Sequence, residues 1–154
     1  RHLGQLPDGV PQAGVNRLRA VLFDLDGTLI DSAPDLAGAI NDLRVARGLA
    51  PLPYAPLRAE VGSGARGMIR VAFGLQPGDA GYDALREAFL AGYDARKTRE
   101  TAVFPAMRPV LAALDAAGRP WGIVTNKAGW LAEPLVAAIG GLERAATLVC
   151  GDTM

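Results

Sequence analysis

The chain has 154 residues, half of them hydrophobic, with 16 basic side chains balanced by 16 acidic ones. That is enough chain for one domain with a sizeable core, and the balance excludes the strongly basic surface of a protein whose main partner is nucleic acid. No apolar run has the length of a membrane span or forms the core of a signal peptide, and Cys150, the only cysteine, fits a reducing, cytoplasmic setting.

Residues 1–16 are rich in Gly and Pro and lack periodicity, so they read as a flexible lead-in. His2, the only histidine, lies there and reads as a solvated tail residue. Ala20 to Phe23 form an apolar run with the β-branched and aromatic character of a buried strand, which runs from about Arg19 to Phe23. After Ser32 the apolar residues Leu36, Ile40 and Leu43 recur at helical spacing, and Gly48 supplies a stop. Pro51, Pro53 and Pro56 mark a loop. Val61-Gly62-Ser63-Gly64-Ala65-Arg66-Gly67 is a flexible connection into a helix carrying Met68, Ile69 and Phe73. After a break at Gln76 to Gly81, the spacing predicts a helix over 82–98, with Leu85, Phe89 and Tyr93 as its core stripe.

From Ala102 the pattern changes. Val110, Leu111 and Leu114 lie on a helix closed by Gly118, and Trp121 to Thr125 is the next strand. A helix over about 131–139 leads through Gly140-Gly141 to a strand at 147–150. Strands separated by helices imply parallel pairing in a sheet buried on both faces. The helical stretch between about Ala33 and Thr101 is too long for a simple crossover.

The chemistry gathers at the strand ends. Asp24 and Asp26 follow the first strand one residue apart, so an extended backbone turns both carboxylates the same way. Gly27 then allows a sharp turn and close approach to a ligand. Two acids at the carboxyl end of a buried strand sit where open α/β sheets bind ligands. The arrangement suits a divalent hard cation, a nucleophile and a proton donor; its bland alternative is a solvated Asp-Gly turn.

The stretch Asp24-Leu-Asp26-Gly27-Thr28-Leu-Ile-Asp31-Ser32 resembles the signature of the haloacid dehalogenase-like superfamily. Ile-Val-Thr125-Asn126-Lys127, at the end of the Trp121 strand, resembles that family's second element. The resemblance implies a Rossmann-like α/β core over 17–33 and 102–154, with an all-helical cap inserted at 34–101. It implies that Asp24 takes a phosphoryl group and that Asp26 is the general acid and base. Mg²⁺ would be held by Asp24 and the main-chain carbonyl of Asp26. Gly27, Thr28 and the hydroxyl of Thr125 would bind phosphate, with Asn126 as an amide donor and Lys127 as a cation. Arg66 in the cap loop would either pair with an anionic substrate group or stand solvated on a Gly-rich connection.

An acid at position 26 favours phosphatases and phosphomutases within the superfamily. The resemblance lies nearest to phosphoglycolate phosphatases and to N-acetylmuramic acid 6-phosphate phosphatases, whose substrates are small phosphorylated metabolites. A phosphosugar mutase and a non-catalytic phosphate-binding module are the competing readings. The family's late Lys and late acidic metal ligands have no counterpart here; Asp152 follows the third strand and is rejected as a ligand. The chain therefore reads as an N-terminal piece of a longer enzyme, expected to leave its first strand as an apolar edge and to fold and turn over poorly.

Overall fold

In the computed structural model, residues 18–153 are described; the expected lead-in at 1–16, with His2, lies outside them. The architecture is α/β. Three short parallel strands, β1 (Val21–Phe23), β4 (Trp121–Val124) and β5 (Leu148–Val149), form one sheet in the order β1-β4-β5. Between β1 and β4 come β2 (Ile30–Asp31) and β3 (Ala102–Val103), which pair antiparallel as a separate two-stranded ribbon. Helix α5 (Met107–Ala116) precedes β4, and α6 (Gly129–Ala138) connects β4 to β5. The register pairs Val21 with Trp121 and Phe23 with Ile123. The residues that follow, Asp24 and Thr125, therefore leave neighbouring strands at the same end of the sheet.

The core under this sheet is built from Leu25, Leu29, Trp121, Ile123 and Leu135, all essentially inaccessible, with Phe23 edge-on to Trp121 at 6.2 Å. Among the described residues β1 is an edge strand, and Leu22 on it is 63% exposed. Gly122 has no room for a side chain, since a Cβ there would press on Leu22 and on the backbone and methyl of Thr147.

Between β2 and β3 lie α1 (Ala33–Ala46), α2 (Tyr54–Arg58), a 3-10 turn at Val61–Ser63, α3 (Gly64–Phe73) and α4 (Tyr82–Asp94). Their facing stripes, including Leu36, Ile40, Met68, Ile69 and Phe89, make a second apolar cluster. Leu131 of α6 joins it, so the helical insert packs onto the sheet-bearing part through that side chain. The insert's two ends are stitched together by Asp35. Buried in the first turn of α1, its Oδ2 accepts the N–H of Glu100 (2.9 Å), the N–H of Thr101 (3.0 Å) and the Thr101 hydroxyl (2.7 Å). Asp35 thus satisfies the Thr101 N–H, which would otherwise be buried without a partner, and the partly buried N–H of Glu100 beside it.

Several expected boundaries move. The proline stretch is not all loop: α2 includes Pro56 as its third residue, a first-turn position whose missing N–H would have had no helical partner. The helix expected over 82–98 stops at Asp94, and the chain continues in tight turns in which Arg96 N–H bonds Tyr93 O at 3.0 Å and Arg99 N–H bonds Arg96 O at 2.9 Å. The helix expected from 131 begins at Gly129, because Asp152 accepts the Gly129 N–H at 2.7 Å and so caps an earlier start. The strands expected at 19–23 and 147–150 shorten to β1 and β5.

Candidate active site

Asp24 is the first residue beyond β1, exposed, with Oδ1 accepting the N–H of Leu25 at 2.8 Å. Leu25 turns into the core, and its carbonyl accepts the N–H groups of Thr28, Leu29 and Ile30. Gly27 closes this tight loop at φ +76°, a left-handed conformation that favours glycine, while its N–H bonds the Ile30 carbonyl at 2.9 Å. The alternation leaves Asp24 and Asp26 outside the core while Leu25 anchors the turn between them.

Asp26 is held from two sides. The Ser32 hydroxyl donates to its Oδ1 at 2.6 Å, and the Lys127 ammonium lies 3.4 Å from its Oδ2, with the two side chains 8% and 12% exposed respectively. Lys127 also donates to the Tyr93 hydroxyl at 3.0 Å, with its Nζ 4.3 Å from the Tyr93 ring centre. Burial pushes the Lys127 ammonium below the usual lysine range, and the Asp26 charge opposes that shift. Burial, reinforced by the charges of Asp26 and Asp35, raises the Tyr93 phenol well above its ordinary value. It stays a neutral donor and acceptor.

Thr125 is buried behind this pair. Its N–H bonds the Val149 carbonyl at 2.9 Å, and its hydroxyl oxygen accepts the Lys127 N–H at 3.1 Å. The hydroxyl proton remains available to a bound anion. The exposed side chain of Asn126 borders the same opening, and its carbonyl is packed so tightly on Gly151 that a Cβ at 151 has no space.

Two cavities meet at Asp26. One, of about 230 Å³, runs between the insert and the β4–α6 loop, past Arg66, Arg86, Phe89, Tyr93, Asn126 and Lys127. The other, of about 390 Å³, opens on Asp24, Asp26, Gly27, Thr28, Asp31 and Arg58. Arg58 reaches in from α2 and pairs with Asp31 at 3.0 Å. Asp24, Asp26, Gly27 and Thr28 thus share one opening, while Asn126, Lys127 and Arg66 line the other, and Asp26 borders both.

The oxygen donors of Asp24 and Asp26 are the class a hard divalent cation takes. Among the described residues no cluster of three His, Cys, Asp or Glu side chains gathers, and Asp152 is occupied in capping α6. Mg²⁺ commonly binds through one or two carboxylates, completing its shell with waters and substrate phosphate. The open Asp24 side suits that mode.

Ser32 lies within the quoted motif but carries no expected role, and only the turn back into β2 brings its hydroxyl to Asp26. Tyr93 reads as core from its helical stripe. Its partner stands 34 positions later, beyond any local signal.

Residues 18–153 match the family model described as haloacid dehalogenase-like hydrolase. The chain is 41% identical over 136 residues to an N-acetylmuramic acid 6-phosphate phosphatase of Pseudomonas aeruginosa, covering 88% of this chain and 60% of that protein. It is 43% identical over 136 residues to a phosphoglycolate phosphatase of Xanthomonas campestris pv. campestris, covering 88% and 61%. It therefore spans about three-fifths of the length of these relatives. In fold it is similar to a predicted phosphoglycolate phosphatase from Haemophilus somnus, with a TM-score of 0.76 at 24% identity, covering 92% of this chain and 66% of that one. A haloacid dehalogenase-like family protein from Streptococcus pneumoniae gives 0.74 at 20% identity, covering 86% and 61%. The chain belongs to the haloacid dehalogenase-like hydrolases.

Proposed function

We propose that this chain carries the nucleophile and the proton-transfer group of a cytoplasmic, Mg²⁺-dependent phosphomonoester hydrolase that works through a phosphorylated Asp24. The observation that carries the reading is the pair at the end of β1: an exposed Asp24, and an Asp26 whose two oxygens are fixed by Ser32 and Lys127. Residues 17–33 and 102–154 act as the catalytic core, and 34–101 as a helical cap over it.

Asp24 attacks phosphorus through a carboxylate oxygen, and the ester P–O bond breaks as the Asp24 O–P bond forms. Asp26 gives its proton to the departing alkoxide, which leaves as the alcohol. Asp26, now a carboxylate, takes a proton from water as the water oxygen attacks phosphorus, releasing phosphate and restoring Asp24. Thr125 Oγ1 and the turn at Gly27 and Thr28 face the phosphoryl oxygens, with Asn126 and Lys127 beside them. Asp24 and the main-chain carbonyl of Asp26 would hold the divalent cation, which would supply neutralisation of the charge on those oxygens.

The relatives' names point to a small phosphorylated acid or sugar acid, with phosphoglycolate as the first substrate and N-acetylmuramic acid 6-phosphate as the alternative. Arg66 at the rim of the smaller cavity offers a fork for a carboxylate of either. Phosphate release from both should be measured on the complete gene product, with Asp26→Asn alongside. Removing the proton donor should lower kcat about 10²–10⁴-fold; an unchanged rate would sink the assignment.

A further inference from the structure

We propose that Tyr93 is a positioning residue for the proton-transfer step, fixing the Asp26 carboxyl through Lys127. The proposal rests on the phosphatase reading above. Tyr93 is the last buried residue of the α4 stripe, 0% exposed, and stacks on Phe89 with ring centres 6.4 Å apart. A tyrosine in such a stripe needs only its ring for packing. Its hydroxyl instead leaves the apolar cluster and meets a side chain from the β4–α6 loop.

The contact has two parts. The Lys127 ammonium donates to the Tyr93 Oη at 3.0 Å, and it also lies 4.3 Å from the ring centre, within cation–π range. A lysine has four rotatable side-chain bonds, and alone it would not hold one direction in a cavity. Held by Tyr93, the ammonium stands 3.4 Å from Asp26 Oδ2 as an ion pair. Ser32 fixes the other oxygen at 2.6 Å. The plane of the Asp26 carboxyl is therefore set from both sides, once from the turn beside it and once from the helical insert.

Only the step that uses the Asp26 proton should depend on this link. An alkoxide leaving group needs that proton as the P–O bond breaks, whereas 4-nitrophenolate departs without one. The test measures kcat/KM of the complete gene product on 4-nitrophenyl phosphate and on the alkyl esters phosphoglycolate and N-acetylmuramic acid 6-phosphate. Tyr93→Phe keeps the ring and its packing and removes the hydroxyl. It should lower kcat/KM for the alkyl esters about tenfold, in line with the loss of one hydrogen bond to a charged group. The value for 4-nitrophenyl phosphate should stay within about twofold. Lys127→Met also removes a cation beside the phosphoryl oxygens and should lower kcat/KM for both substrate types, and adding Tyr93→Phe to it should cost nothing further for the alkyl esters.

A Tyr93→Phe enzyme that loses both substrate types equally, or neither, overturns the proposal and leaves the phosphatase reading intact. Additive losses in the double variant also overturn it. A parent that hydrolyses neither ester type overturns both readings together.

Discussion

Asp35→Ala should be among the most destabilising single changes available in the insert. The carboxylate is fully buried, and one oxygen accepts three hydrogen bonds, from Glu100 N–H, Thr101 N–H and Thr101 Oγ1. Its other oxygen stands 3.7 Å from Arg96 Nε, too long for a hydrogen bond but close enough for attraction. Alanine leaves two backbone donors without an acceptor, the buried Thr101 N–H and the partly buried Glu100 N–H, at about 1–3 kcal/mol each. The Thr101 hydroxyl can rotate, and Arg96 keeps Asp42 at 2.7 Å, so neither adds a full penalty. The sum is about 2–6 kcal/mol, which for a domain of this size lowers Tm by roughly 4–24 °C. Asp35→Asn retains an acceptor for the same donors but faces Arg96 with an amide, and should cost about 1–3 kcal/mol. Thermal and urea unfolding followed by circular dichroism measure both. An Asp35→Ala variant within 1 kcal/mol of the parent, taken as roughly the worth of one neutral hydrogen bond, would refute this account of how the insert's ends are joined.

Gly122→Ala should destabilise by about 1–3 kcal/mol through overpacking, because the new methyl meets Leu22 and Thr147 across two parallel strands; urea midpoints with unchanged slope would show it. The pH dependence of Tyr93 has a defined sign. Its folded value is raised above the ordinary value near 10, so its stabilisation is complete below pH 10 and is lost as pH rises, when the unfolded phenol ionises and the buried one does not. The stability difference between parent and Tyr93→Phe should therefore shrink above pH 10, with a slope of up to about 1.4 kcal/mol per pH unit. A difference that stays flat from pH 8 to 11 would contradict the burial of that hydroxyl as the cause.

The parts of the fold carried by local patterns were readable in advance. An apolar run ending in Asp24-Leu-Asp26-Gly27 signals a strand and a turn with two acids outside the core, and β1 with the Gly27 turn is what forms. The stripe Leu85, Phe89, Tyr93 signals α4 and its buried face. What escaped was non-local or too short for periodicity. The two-residue strands β2 and β3 depend on pairing across the whole insert. The acceptor role of Asp35 needs Thr101 to return beside it, and Asp152 looks like one more acid after a strand until α6 presents its N-terminus. Lys127 reads from the sequence as a cation for a bound phosphate; that its ammonium also stands 3.4 Å from Asp26 and donates to the Tyr93 hydroxyl depends on α4 packing beside the β4–α6 loop.

On the proposed route every turnover passes through one covalent bond between Asp24 and phosphorus. Acid quenching of the complete gene product during turnover of phosphoglycolate or N-acetylmuramic acid 6-phosphate, followed by peptide mass spectrometry, tests it directly. A single hydroxylamine-labile phosphoryl group is expected on Asp24, absent from an Asp24→Asn variant that has also lost turnover. Steady hydrolysis with the phosphoryl group on another residue, or with Asp24→Asn as fast as the parent, would contradict it.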